Sequence, residues 1–192
     1  METQSEILQL LQNYIKKYPL EQEGLKRFVH FVNQHKGEQL IDRKNFTGHI
    51  TASAFIVNNE ANRLLLLKHK ALNRWLQPGG HVDATDPSLM AAAIREALEE
   101  TGISATDLNS VYNTVFDFDS HFIPANDRKH EPGHYHHDVR FLFKCSHPAF
   151  INIAQEESTD SNWVPFAQLV DNEDFGRIVQ KIQERREPSF DS

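Results

Sequence analysis

Apolar positions along the chain recur with two periods, one of about 3.6 residues and one of two, and their order outlines the fold. Over residues 3–36, Ile7, Leu8, Leu10, Leu11, Tyr14 and Ile15 make one helical stripe. Leu25, Phe28, Val29, Phe31 and Val32 make a second, and Pro19 breaks the chain between them. This pattern predicts an amphipathic helical hairpin. From His49 to Val57 the period changes to two, with Ile50, Ala52, Ala54 and Ile56 alternating with their neighbours. A polar turn over Asn58–Asn62 and an apolar run over Leu64–Lys68 complete a predicted β-hairpin. Gly79-Gly80 makes a turn before a helix whose apolar side reads Met90, Ala91, Ile94, Ala97 and Leu98. Asp86-Pro87 reads as an N-cap followed by proline at the first helical position, and Gly102 as the left-handed residue that ends the helix. Val111–Phe118, Val139–Lys144 and Asn162–Val164 predict strands, followed by Pro165–Leu169 and a last helix around Phe175–Arg186. Strands, a helix, more strands and a helix imply an α/β (α+β) fold, a mixed sheet with helices on both sides.

The helical hairpin occupies residues 1–44 as an N-terminal extension, and the main domain runs over 45–192. A length of 192 residues suits that division, and 39% hydrophobic content with 13 Phe supports an aromatic core. The net charge of −7 and pI near 5.9 speak against nucleic-acid binding through a basic surface. No apolar run reaches the length of a membrane span, and the polar, acidic first residues lack a secretory pattern. A single cysteine, Cys145 in an apolar run, suits a reducing compartment as a buried, inert thiol. These features together point to the cytoplasm.

The chemistry concentrates around the glycine turn. At about 100° per residue, Glu96, Glu99 and Glu100 fall in one narrow sector of their helix. Like charges at these spacings repel, so such a cluster is either a solvated face or a cation site. Arg95, four residues before Glu99, is placed to brace it. The segment resembles the signature of the Nudix hydrolases, and Arg95-Glu96-x-x-Glu99-Glu100-x-Gly102 matches it without substitution. The aromatic-x-x-Pro-Gly-Gly approach over Trp75–Gly80 is also common in that family. The first half departs from the pattern: Asp86 replaces the usual Glu, Thr85 the usual Gly, and the gap from Gly80 to Arg95 is one residue longer.

The resemblance implies a Nudix-type α/β/α sandwich and hydrolysis of a pyrophosphate bond in a nucleoside diphosphate linked to another group. It implies Mg²⁺, with Mn²⁺ as a substitute, held by Glu96, Glu99, Glu100 and the carbonyl of Gly79; an all-oxygen donor set suits such hard cations. Glu96, Glu99 and Arg95 then carry catalysis, and Glu96 or an acid on a later loop, Glu156 or Glu157, serves as the base. A different class of reading is a catalytically silent Nudix-fold module that binds a nucleotide and regulates another process; the complete glutamate set argues against it.

One further segment invites a functional reading. If His134–Arg140 is a strand, His134, His136, Asp138 and Arg140 share a face that could bind phosphate, orient substrate or hold a second metal. Upstream, His121, Pro124, Asn126, Lys129, His130 and Glu131 make a polar loop suited to a substrate lid. The partner implied is a small diphosphate substrate. The N-terminal helices either pack on the main domain or join two copies in a homodimer.

Overall fold

Helix α1 (Gln4–Lys17) begins where Thr3 and Glu6 cap each other: the Glu6 N–H donates to the Thr3 hydroxyl, and the Thr3 N–H to the Glu6 carboxylate at 2.7 Å. Pro19 starts a 3₁₀ turn over Pro19–Glu21, and α2 (Gln22–Gln34) returns antiparallel, completing the predicted hairpin. Ile7, Leu11 and Tyr14 of α1 and Leu25, Phe28, Phe31 and Val32 of α2 are buried. The structure, a computed structural model, describes residues 1–70, 72–127, 130–148, 151–155 and 158–185. Glu156, Glu157 and Lys129 lie outside the described residues.

A mixed sheet forms the centre. Strand β1 (His49–Val57), buried along its whole length, lies parallel to β7 (His134–Cys145), in register from His49↔His136 to Val57↔Lys144. The predicted hairpin with β2 (Arg63–His69) closes only at Val57↔Leu64. The two strands then diverge, and the glycine segment β4 (Gly79–His81) fills the space, pairing with Thr51–Ser53 of β1. Strand β2 carries the sheet outward to β3 (Arg74–Leu76) and β8 (Ser158–Pro165). On the far side, β7 pairs with β5 (Leu108–Ser110) and β6 (Asp117–Ile123).

Alternation along the strands builds a core on each face. Ile50, Ala52, Ala54, Val139, Phe141 and Phe143 face α1, α2 and α3 (Leu89–Thr101). Phe55, Leu64, Leu66 and Leu142 face α4 (Phe166–Leu169) and α5 (Gly176–Glu184). The sandwich of helices on both sides of a mixed sheet is therefore the observed architecture. The thiol of Cys145 is buried, and burial raises its pKa, as an inert core cysteine requires. No described helix is long and apolar enough to cross a membrane.

Three local expectations need correction. Helix α3 starts at Leu89 with Ser88 as its N-cap, whose hydroxyl accepts from the Ala91 N–H at 3.1 Å. Asp86 is not the cap: the helix begins three residues later, and the Asp86 carboxylate is taken by Arg95 and the Asp83 N–H. The buried side of α3 is rotated from the predicted one. Leu89, Ala92, Ala93 and Ala97 are buried, while Met90, Ala91, Ile94 and Leu98 flank them half-buried. Residues 111–118 are not one strand, because the long β7 offers its edge to two partners. The chain leaves β5, touches β7 where the Val111 N–H donates to Leu142 O and the Phe116 N–H to Arg140 O, and re-enters as β6.

Asp117, at the start of β6, is fully buried, and three cations converge on it: Arg140 at 3.3 Å, Arg177 at 2.6 Å and Lys181 at 2.8 Å. The Tyr14 hydroxyl lies 2.6 Å from both Asp117 and Glu21, and Lys181 also pairs with Glu21 at 2.7 Å. Burial opposes ionisation of Asp117, but Arg140, Arg177 and Lys181 outweigh it and hold its pKa below the usual range. Removing the charge leaves buried cations uncompensated, so Asp117→Asn should lose about 3–5 kcal/mol of stability, read from urea midpoints at pH 7. The depressed pKa also fixes a pH dependence. The stabilisation is complete above the unfolded value of about 3.9 and falls away as pH drops toward the folded one, and Asp117→Asn should flatten that acid limb.

Candidate active site

The site grows from the contact between β4 and α3. Gly79 lies against β1 so closely that a Cβ there would meet the Ser53 backbone at 2.6 Å, and its φ of 153° also favours glycine. Its N–H donates to the Glu100 carboxylate at 2.9 Å, which accounts for that buried acid. A Cβ on Gly80 would meet the Glu96 carboxylate at 2.7 Å. The expected turn at Gly79-Gly80 is thus a short strand, paired with β1, and its lack of side chains lets it lie directly on two of the three box glutamates, while Glu99 projects outward.

Arg95 organises the acids around it. Its guanidinium donates to Glu96 at 2.9 Å, to Glu99 at 3.2 Å and to the His81 carbonyl at 2.9 Å. It also forms a two-pronged pair with Asp86, at 3.1 and 2.9 Å, and Asp86 in turn accepts from the Asp83 N–H at 2.8 Å. The Arg95 hydrogen bonds hold the Asp86 carboxyl below the usual range, and Asp86 and Glu96 raise the pKa of Arg95. Asp86 is an anchor for Arg95, and it takes that role through the longer connection between turn and helix.

The segment from His134 is a strand, so His134, His136, Asp138 and Arg140 do share a face. Two of them are held by neighbours. Asp138 is buried and accepts from the hydroxyls of Thr51 at 3.1 Å and Ser53 at 2.8 Å, and from Arg140 at 2.8 Å. Arg140 reaches three carboxylates, Asp117, Asp119 and Asp138. Asp119 also holds His121 at 2.7 Å; burial works against its ionisation, and His121 with Arg140 outweigh that and keep its pKa low. This network adjoins the glycine turn through Ser53, the register partner of Gly79.

Beside it lies a histidine cluster that the sequence reading did not assemble. Register places His49 of β1 next to His136 of β7, and His81 of β4 opposite Thr51 on the same face. The ring centroids of His49, His81 and His136 are 4.7–5.2 Å apart, with His134 5.0 Å from His49 and 5.1 Å from His136. Burial first, and the neighbouring His134 next, lower the pKa of His49 to about 4. Burial and four surrounding histidines lower that of His136. The signal was present in the alternation: with Ile50 and Ala52 turned to the core, His49 and Thr51 must face the other way. Each of these three imidazoles offers a nitrogen within 4.8 Å of the other two, a spacing that could hold a metal ion.

A NUDIX domain model matches residues 47–182. Over 56 residues the chain is 50% identical to "Putative 8-oxo-dGTP diphosphatase" of Bacillus subtilis (strain 168), covering 29% of this chain and 37% of that protein. Over 95 residues it is 33% identical to "Probable DHNTP pyrophosphohydrolase" of Lactococcus lactis subsp. cremoris (strain MG1363), covering 50% of this chain and 53% of that one. The chain thus spans about half or less of the curated relatives it matches. Among solved structures, a C. elegans Ap4A hydrolase complex shares the fold with a TM-score of 0.54 at 21% identity, over 71% of this chain and 96% of that one. The E. coli dihydroneopterin triphosphate pyrophosphohydrolase does so with a TM-score of 0.53 at 17% identity, over 70% and 92%. With its family model spanning most of the chain and the glutamate box seated on its glycine turn, this protein belongs to the Nudix hydrolase family.

Proposed function

We propose that the chain is a divalent-metal-dependent pyrophosphohydrolase acting on a nucleoside diphosphate linked to another group. The observation that carries this reading is the seating of Glu96 and Glu100 on the Gly79-Gly80 segment of β4, with Glu99 beside them and Arg95 bracing two of the three. The donors fit Mg²⁺ or Mn²⁺: they are all oxygen, and the glycine turn leaves room for them where any side chain would intrude. Glu96, Glu99, Glu100 and the Gly79 carbonyl would hold the ion, which when bound neutralises charge on the diphosphate and acidifies water.

The protein's own groups supply orientation. Arg95 holds Glu96 and Glu99 through its guanidinium, and Asp86 keeps Arg95 in place. Glu96, in contact with the turn, is the candidate base within the described residues. The polar face of β1, β4, β6 and β7 makes the adjoining wall for substrate, with His134 and His136 lining it and Asp138 and Arg140 fixing its shape. Since the matched relatives are named for 8-oxo-dGTP and DHNTP, these two compounds and a dinucleoside polyphosphate form the first panel.

Phosphate or pyrophosphate release from that panel should require Mg²⁺ or Mn²⁺. Glu99→Gln and Glu100→Gln should lower kcat by about 100-fold or more while circular dichroism stays unchanged; full activity in both sinks the proposal. Gly80→Ala displaces the flexible end of Glu96 rather than backbone, so it should keep the fold and lower kcat roughly 10- to 100-fold in the same assay.

A further inference from the structure

We propose that His49, His81 and His136 form a second metal site, for a borderline transition-metal cation such as Zn²⁺, separate from the glutamate cluster. The three rings come from adjacent strands, β1, β4 and β7, and one ligating atom from each lies within 4.8 Å of the others. His49 is 1% exposed, and neither of its nitrogens has a hydrogen-bond partner among the described residues; the Asn45 backbone is near enough to bias the ring without meeting hydrogen-bond geometry. Buried polar atoms in folded proteins are normally satisfied, and each one left without a partner costs on the order of 1–3 kcal/mol. A cation shared by the three rings satisfies the His49 lone pair.

The donor chemistry selects the cation. Neutral imidazole is a ligand for Zn²⁺ and its first-row neighbours, whereas Mg²⁺ takes oxygen. Zn–N bonds of about 2.0–2.1 Å need nitrogens this close, and ring rotation of the half-buried His81 and His136 can adjust them to the ion. His134 is set as a supporting group. Its Nδ1 lies 2.8 Å from the Pro132 carbonyl and so carries the proton, which turns the lone pair of its Nε2 toward His136 Nε2 at 3.2 Å. Three protein ligands leave a fourth position open to water, to His134 or to a substrate oxygen.

The inference stands independently of the proposed hydrolysis, and its test reads metal rather than turnover. The full chain, stripped with a chelator, is titrated with Zn²⁺ in excess Mg²⁺ by calorimetry, and with Co²⁺ as a visible-absorption probe. One equivalent of Zn²⁺ should bind despite the Mg²⁺, and Co²⁺ should give the absorption of a nitrogen-ligated, low-coordinate ion. His81→Asn and His136→Asn, both at half-buried positions, should each abolish that equivalent, and Glu99→Gln should retain it. Failure of the wild-type chain to bind a stoichiometric ion overturns the proposal. So does binding that survives both histidine substitutions, or that is lost in Glu99→Gln, which would place the ion on the carboxylates instead.

Discussion

A single buried carboxylate ties the parts of this molecule together. Asp117 sits where β6, β7, α1 and α5 meet, and it draws one cation from β7, two from α5 and a hydroxyl from α1. A charge so far from water is tolerable only because its partners are close and mutually fixed. That requirement propagates: Arg140 must point toward Asp117, so it also falls between Asp119 and Asp138. Asp138 in turn gathers the hydroxyls of Thr51 and Ser53, and Ser53 is the floor on which Gly79 rests. The polar face of the sheet is therefore set from beneath by ion pairs.

Much of this was legible in the residue pattern, and the exceptions share a cause. The N-terminal hairpin, β1, β2, α3 and α5 were readable because their apolar positions follow one period each. Strand β6 and the first half of β7 were hidden or conditional because Asp119, Ser120, His121, His134 and His136 place polar groups where a strand buried on both faces would carry Val or Ile. Those residues are polar because they face the ion network and the imidazoles. Asp86 misled for a related reason: Asp-Pro is a strong local signal for a helix start, and a long-range pairing with Arg95 overrode it. The box glutamates were readable because three of them fall within five residues of one helix, whereas His49, His81 and His136 are scattered over the chain and meet only through strand register.

Strand β4 stands between two donor sets of opposite character. Its glycines contact carboxylates on α3, and its histidine turns a ring toward β1 and β7 while its carbonyl holds Arg95. Three residues thus adjoin both the box glutamates and the imidazole group.

The aromatic seat of α2 bears on where the folding unit ends. Phe28 packs on Phe118 and His137, and Phe31 stacks on His137, so the helical hairpin supplies part of the wall behind the histidine-rich strand. The family model begins at residue 47, beyond both helices, yet Tyr14 already belongs to the cluster around Asp117. Removing the hairpin would expose Phe118 and His137 on the back of β6 and β7. The segment outside the family model is thus packed as part of the same core, and the unit that folds is longer than the unit that the model covers.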